Sequence, residues 1–421
     1  MSSDLNVYLR SDKVGHLWLD QNRRFVFQYD PGWLHSGTAT PLSLALPLRA
    51  QPFPDDQARP FFANLLPESE LRRLVARRLG LSEQNDFALL EAVGGECAGA
   101  VSLFPDDTPP ADDGGYRALD DDQLNALITE LPKRPLLAGE QGIRLSLAGA
   151  QNKLPVYFDG ERISLPMEAA ASSHILKPPI AHYPHTVENE AFCMQLAARM
   201  GLPVPEVTVL HKVTALYLIA RYDRERGTQD KIVRLHQEDF CQALGVAPDM
   251  KYEKEGGPSL KACFELLRNH SIQPVADLRE LLSWVIFNYL IGNADAHAKN
   301  ISLMLTAAGP RLAPFYDLMC TAVYSELSDR LAMKIGGEDR PDWVIERRWQ
   351  QFANDIEVKF KRIHEILSEL SRSLKAQAAS LAEAFKQQHG QCEIIDQILG
   401  VIDQRCRQVQ ASLNAGTADD S

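Results

Sequence analysis

The chain has 421 residues, 45% of them hydrophobic and 24% charged, with a formal net charge of −12 at pH 7. That length provides for one large or two ordinary globular domains, and the acidic balance argues against avid, unaided binding to nucleic acid. No window approaches the ~18 consecutive apolar residues of a membrane helix, and the opening Ser2-Ser3-Asp4-Leu5-Asn6 lacks the basic and apolar regions of a secretory signal, so a cytoplasmic protein with no membrane partner is expected. The seven cysteines are scattered and never spaced as CxxC, which argues against a disulfide framework or zinc knuckle and makes buried free thiols the expectation.

The first hundred residues read as a small unit. Residues 6–9, 15–19 and 25–29 are short runs rich in β-branched and aromatic side chains, separated by turn-like Ser11-Asp12-Lys13 and Asp20-Gln21-Asn22. They predict an antiparallel meander. Helical periodicity follows through Phe61, Leu65, Leu71 and Val75, then Phe87, Leu90 and Val93, up to Gly94-Gly95. The basic run Arg72-Arg73-Leu74-Val75-Ala76-Arg77-Arg78 reads as a solvated helix face.

Residues 105–118, rich in Pro, Gly and Asp, read as a linker or exposed loop. Strands are predicted at 142–147, 153–158, 174–176, 204–210 and 215–222, with a helix over 186–200 that stops at Gly201. After Arg234 the character turns helical, at 238–244, 260–267, 278–291 and several segments of 349–413, before a frayed tail at 414–421. The expected organisation is a subdomain at 1–104, the linker, a β-rich lobe at 119–233 and a helical lobe at 234–413. This is an α+β chain in two lobes.

Three stretches carry chemistry. The first is Gly292-Asn293-Ala294-Asp295-Ala296-His297-Ala298-Lys299-Asn300, at the end of an expected apolar helix. Asp317 follows 22 positions after Asp295, in Pro314-Phe315-Tyr316-Asp317, across an expected hairpin (301–305, 309–312). Phosphoryl transfer needs a carboxylate beside the attacking hydroxyl, plus an amide oxygen and a second carboxylate for Mg²⁺. Protein kinases supply these as Asp-x₄-Asn on a loop and an Asp after a short hairpin. In isolation Asp-x₄-Asn serves as readily for a loop cap and a turn former.

The second stretch is Arg144-Leu145-Ser146-Leu147-Ala148-Gly149-Ala150-Gln151-Asn152-Lys153, whose small residues let backbone N–H groups approach phosphates. It is neither Walker A nor GxGxxG, and by pattern alone it is equally an ordinary hairpin. The third is Lys177, ending the apolar strand His174-Ile175-Leu176, with Glu188 and Glu190 of the following helix as candidate partners. A surface lysine at a strand end would look the same. Order decides: turn, strand lysine, helix glutamate, hinge, Asp-x₄-Asn and Asp occur in kinase order.

With these residues in hand, the chain resembles the HipA family of serine/threonine kinases, toxins of toxin–antitoxin pairs. The carrying stretches are 146–153, 174–177, Val187-Glu188-Asn189-Glu190, 234–245, Lys251-Tyr252-Glu253…Gly256-Gly257-Pro258, Asp295…Asn300 and 314–317. Phe62…Glu68 and Gly94-Gly95-Glu96…Gly99-Ala100 resemble the family's first subdomain. The resemblance implies an atypical bilobal kinase-like fold, ATP and Mg²⁺ as cofactors, and Asp295 as catalytic base. It implies Asn300 and Asp317 on Mg²⁺, Lys177 on the ATP phosphates, and Leu147, Ala148, Gly149, Ala150, Gln151, Asn152 and Lys153 as phosphate loop.

Ser146 would be autophosphorylated, which expels the loop and silences the kinase; a phosphate adds roughly −1.5 to −2 charge. The hinge 219–224 would bind adenine through Ala220 and Tyr222, both departures from the family's Glu-Arg-Phe-Asp-Arg. His297 would support the catalytic loop and nucleotide. Implied partners are a small helix-turn-helix antitoxin, operator DNA through that complex, and a protein substrate such as glutamate–tRNA ligase, whose phosphorylation arrests growth.

Two other classes remain open to the sequence. A small-molecule phosphotransferase of kinase-like fold also uses a base Asp and an Asn, and a non-catalytic module would only bridge antitoxin and DNA. A metal-hydrolase reading of His182, His185, Asp295 and His297 is weaker, because His182 and His185 fall in a Pro-containing loop.

Overall fold

A computed structural model describes residues 4–105, 114–168, 170–227 and 231–416. The chain divides into two units: Met1–Pro178, His211–Asp249 and Leu303–Pro310 form the first, and Pro179–Leu210, Met250–Ser302 and Arg311–Ser421 the second. All seven cysteines are buried free thiols, and among the described residues no helix is long and apolar enough to cross a membrane.

The first unit opens on strands Leu5–Leu9 (β1), Asp12–Leu19 (β2) and Phe25–Tyr29 (β3), the antiparallel meander that the sequence predicts. Val101–Pro105 (β4) pairs with the free edge of β1, giving the order β3-β2-β1-β4. Phe25, Phe27 and Tyr29, two residues apart, bury one face of this sheet. Helices Pro31–Leu34 (α1), Asp55–Ala63 (α2), Ser69–Leu79 (α3) and Asp86–Val93 (α4) follow, and Phe61, Phe62, Val75, Leu89 and Leu90 join the same core. Arg73, Arg77 and Arg78 are exposed on α3, the solvated face expected.

The second sheet of this unit carries Tyr116–Ala118 (β5), Leu154–Phe158 (β6), Ile163–Pro166 (β7), His174–Lys177 (β8) and, later, Ala215–Ala220 (β10). They run antiparallel in the order β5-β7-β6-β8-β10. Helix Asp121–Glu130 (α5), with an Asp120–Gln123 capping box, lies between β5 and β6 in the chain. The 105–118 segment is therefore not all loop: its first residue ends β4 and 116–118 are strand, while 106–113 lie outside the described residues.

Residues 142–147 form no strand. Leu145 makes a single parallel bridge to Glu96, flanked by Glu96 N–H donating to the Arg144 carbonyl (2.8 Å) and Ser146 N–H to the Glu96 carbonyl (2.9 Å). One two-bond bridge holds the chain extended without a ladder. Strand β7 lies between predicted elements, in a run too short to carry periodicity. Hairpin strands Arg224–Arg226 (β11) and Ile232–Arg234 (β12) and strand Gln237–Asp239 (β13) precede a one-turn helix Phe240–Ala243 (α7). The helix expected from 238 starts later because Asp239 is its N-cap: Gln242 N–H donates to the Asp239 carboxylate (2.8 Å) and Asp239 N–H to the Gln242 side chain (2.9 Å).

The second unit is largely helical. It contains Thr186–Arg199 (α6), followed in the chain by strand Val207–His211 (β9), which ends at the unit boundary. Helices Leu260–His270 (α8), Pro274–Ile291 (α9), Glu346–Asp355 (α10), Phe360–His389 (α11) and Glu393–Gly416 (α12) complete it. Strands Ser302–Thr306 (β14) and Gly309–Leu312 (β15) are the predicted hairpin, and Leu303–Pro310 of it belong to the first unit.

Helix α6, assigned from sequence to the β-rich lobe, groups with the helices. Phe192 packs edge-on against Phe385 of α11 (5.7 Å), and Asn189 Nδ2 donates to the Cys320 carbonyl (2.9 Å). The helical unit resumes at Met250, not 234, because β12, β13 and α7 pack in the first unit. α12 extends the tail helix to Gly416, and 417–421 lie outside the described residues.

Candidate active site

In the second unit, α9 is the platform. It is apolar on nearly every face, with Trp284, Ile286, Phe287, Tyr289, Leu290 and Ile291 buried, so it runs through the unit's core and delivers its C-terminus rigidly. Gly292 ends it in the left-handed conformation (φ +75°), where a Cβ would come 2.6 Å from Val401 Cγ1. Only glycine fits both demands.

The loop after it is pinned at each step. Asn293 Nδ2 donates to Asn288 Oδ1 (2.7 Å), and Thr321 Oγ1 accepts from Ala294 N–H (2.7 Å) while donating to the Gly292 carbonyl (3.2 Å). Asp295 is exposed, and its N–H donates to Asn293 Oδ1 (3.1 Å). His297 and Asn300 are buried, and His297 N–H donates to Asn300 Oδ1 (3.0 Å). Asn300 Nδ2 in turn donates to Asp317 Oδ2 (2.9 Å).

Asp317 has a left-handed backbone (φ +59°), uncommon for a residue with a Cβ and a mark of conformational demand at a site. The Tyr316 hydroxyl donates to the Lys299 carbonyl (2.6 Å), tying the segment carrying Asp317 to the loop carrying Asn300. The structure thus brings Asp317 to Asn300, which lies on the loop that carries Asp295.

In the first unit, the segment 146–153 leads into β6. Ser146 and Leu147 are buried, while Ala150 is exposed. Ser146 Oγ donates to the Leu65 carbonyl (2.8 Å), and Glu68 N–H donates to the Gly149 carbonyl (3.1 Å), so the first subdomain holds the loop's base. Gly149 adopts φ +107°, and a Cβ there would meet Lys153 Nζ at 2.6 Å, whose ammonium donates to the Ala148 carbonyl (2.5 Å).

Gln151 Nε2 reaches the Pro178 carbonyl (3.5 Å), bringing the loop beside the end of β8. There Lys177 is buried, with Nζ 5.5 Å from the Tyr217 ring centroid. Lys177 lies opposite Tyr217 and His174 opposite Ala220, so Ala220 is three residues, about 10 Å, along the sheet from the lysine. The Tyr222 hydroxyl donates to Gln237 Oε1 (2.5 Å). Of the two helix glutamates, Glu190 is buried, and Glu188 lies 3.8 Å from His185 Nδ1.

Residues 219–224 rest on a buried charge cluster that no sequence pattern announces beyond Gly94-Gly95-Glu96. The Glu96 carboxylate, 2% exposed, accepts from Arg221 (3.2 Å), Arg224 (2.9 Å) and Arg234. It also accepts from Ser172 Oγ (2.9 Å). Asp223 accepts from Arg221 (2.7 Å) and Gly99 N–H (2.7 Å). Burial opposes ionisation of Glu96, but Arg234, Arg224 and Arg221 outweigh it and hold the carboxyl well below its usual range.

Sequence reasoning also missed roles for Thr321, Tyr316 and Tyr252, whose hydroxyl donates to Asp295 Oδ1 (2.8 Å). All three lie far from their partners in the chain. The metal-hydrolase set does not assemble as read: His185 converges instead with Glu188 and Cys392, their ligand-type atoms within 4.8 Å of one another.

A β-sheet ending in a buried lysine, then an Asp-x₄-Asn loop whose Asn is bonded to a downstream Asp, places the chain in the α+β class of kinase-like folds. Residues 5–104 match the HipA N-terminal domain, and residues 145–378 the HipA-like C-terminal domain. The Sinorhizobium fredii protein Y4mE is 45% identical over 90% of this chain and 92% of its own. The serine/threonine-protein kinase toxin HipA of Shewanella oneidensis is 31% identical over 84% of this chain and 83% of its own. A solved Shewanella oneidensis complex of HipA, HipB and operator DNA superposes with a TM-score of 0.84 at 27% identity, covering 98% of each chain. The chain belongs to the HipA family.

Proposed function

We propose that this chain is a serine/threonine protein kinase toxin that transfers the γ-phosphate of ATP to a protein hydroxyl. The observation that carries the reading is the hydrogen bond from Asn300, on the loop bearing the exposed Asp295, to Asp317. Asp295 is the base: it orients the acceptor hydroxyl and takes its proton as that oxygen bonds to the γ-phosphorus. The bond to the β–γ bridging oxygen breaks and ADP departs.

Asn300 and Asp317 offer an amide oxygen and carboxylate oxygens, the hard donor set Mg²⁺ prefers, and Asn300 Oδ1 has a second lone pair beyond the one used by His297 N–H. When bound, Mg²⁺ would neutralise phosphate charge. Lys177 and residues 147–153 bind the ATP phosphates, Ala220 and Tyr222 frame the adenine, and His297 holds the loop. The glycine required at 149 suits a loop whose backbone must approach phosphate closely.

Ser146 is the self-phosphorylation site. Its hydroxyl is fully buried on the Leu65 carbonyl, so phosphorylation requires the loop to leave this position, and the added charge keeps it out. The name of the Shewanella protein and the antitoxin and operator in the solved complex support a small DNA-binding antitoxin as partner. Operator DNA is contacted through that complex, and glutamate–tRNA ligase is the first acceptor to test. A cytoplasmic location follows from these partners.

The test is expression in a bacterial host. The parent chain arrests growth, co-expressed antitoxin relieves the arrest, and Asp295→Asn abolishes it. A variant that remained fully growth-inhibitory would instead favour the non-catalytic bridging role.

A further inference from the structure

Tyr252 lies 43 positions before Asp295 in the chain, yet its hydroxyl reaches the carboxylate, Oη to Oδ1 at 2.8 Å. The placement is built by the fold. Glu253 N–H donates to the Ala332 carbonyl (3.1 Å), and Lys334 N–H donates to the Glu253 carboxylate (2.6 Å). Ala332 N–H donates to the carbonyl of Ala294, the residue before Asp295 (2.9 Å). One segment, 332–334, therefore fastens both the tyrosine's neighbour and the aspartate's neighbour.

The Tyr252 carbonyl accepts from Glu255 N–H (2.9 Å) and Gly257 N–H (3.0 Å), which folds the chain back immediately after the ring. The ring meets His297 edge-on (5.3 Å), and Lys251 and Lys254 place their ammonium groups 5.3 and 5.7 Å from its centroid. Backbone bonds, a ring contact and two cations thus hold the phenol in place.

We propose that Tyr252 is a positioning residue for Asp295: its hydroxyl donates to Oδ1 and fixes the orientation in which the carboxylate meets the acceptor hydroxyl. The inference rests on Asp295 being the base. A phenol is a donor at neutral pH and a carboxylate accepts only, so the direction of this bond is fixed. With the carboxylate oriented by this bond, part of the ordering needed for reaction is already in place.

The experiment uses the full chain with labelled ATP and Mg²⁺, reading the initial rate of self-labelling at saturating ATP, the ATP concentration for half-maximal rate, and the melting temperature. Tyr252→Phe removes the hydroxyl and keeps the ring against His297. The saturated rate falls about tenfold, as expected for losing one hydrogen bond to a charged group, while half-saturation stays within about twofold and melting is unchanged. An unchanged rate overturns the assignment, and so does a faster one, which would make Tyr252 a plug in the acceptor's place. A slower rate accompanied by lower melting or weakened ATP dependence also overturns it, because the ring would then be holding up the loop. A parent chain that labels nothing removes the base role of Asp295, and the inference falls with it; a parent that labels while Tyr252→Phe is indistinguishable sinks the inference alone.

Discussion

Glu96→Gln is the substitution that most directly tests how the hinge is held. Glu96 and Asp223 face Arg221, Arg224 and Arg234 in a sealed cluster of formal charge +1, which becomes +2 when Glu96 is neutralised. Three guanidinium contacts lose their charge partner, each on the order of 4 kcal/mol gross at an effective dielectric near 20. Glutamine keeps the shape and one acceptor oxygen, and no longer bears the cost of burying an anion. The net is about 3–5 kcal/mol of destabilisation, the range found when one partner of a buried ion pair is removed.

Urea unfolding at pH 7, followed through Trp18 and Trp33 of the first unit, reads this out. The sign with pH follows from the depressed carboxyl of Glu96. Its contribution is complete above the ordinary value of 4.5 and is lost as pH falls toward the folded value, so parent and variant converge below about pH 4.5. A cost under about 1 kcal/mol at pH 7 would refute the reasoning, since the cluster would then be worth no more than a surface pair.

Three further outcomes are expected. Glu238 is buried and accepts from Ser43 Oγ (2.5 Å) and Leu44 N–H (3.0 Å); burial pushes its carboxyl up to about 8. The first unit should therefore lose stability as pH rises from about 4.5 to 8, and Glu238→Gln should flatten that slope in urea titrations at several pH values. Gly292→Ala would force a Cβ to 2.6 Å from Val401 in a left-handed conformation, costing about 1–3 kcal/mol by thermal unfolding and slowing phosphate transfer with it. Ser146→Ala leaves the Leu65 carbonyl without that donor, costing about 1–3 kcal/mol, and abolishes self-phosphorylation while sparing transfer to other acceptors, measured by intact-mass spectrometry.

The meander β1–β3, helices α6 and α9, and the β14–β15 hairpin were legible because each has a clean period and a punctuated end, such as Gly201 and Gly292. Residue type and spacing picked out the Asp295–Asn300 loop in the sequence, and the structure places Asn300 against Asp317. What failed was non-local. Residues 142–147 look like a strand, yet their one bridge is to Glu96, some fifty positions away. Helix α6 follows β8 in the chain but packs against Phe385, a partner that no local window contains. Tyr252 and Glu96 escaped for the same reason: each acts on residues more than forty positions distant, so only the folded chain reveals its partners.

The most direct measurement is phosphate mapping by mass spectrometry after the pure chain is incubated with ATP and Mg²⁺, with Asp295→Asn alongside. A phosphotransferase that uses Asp295 as base carries phosphate on Ser146 in the parent and none in the variant. Phosphate in neither chain, or equal phosphate in both, would contradict it.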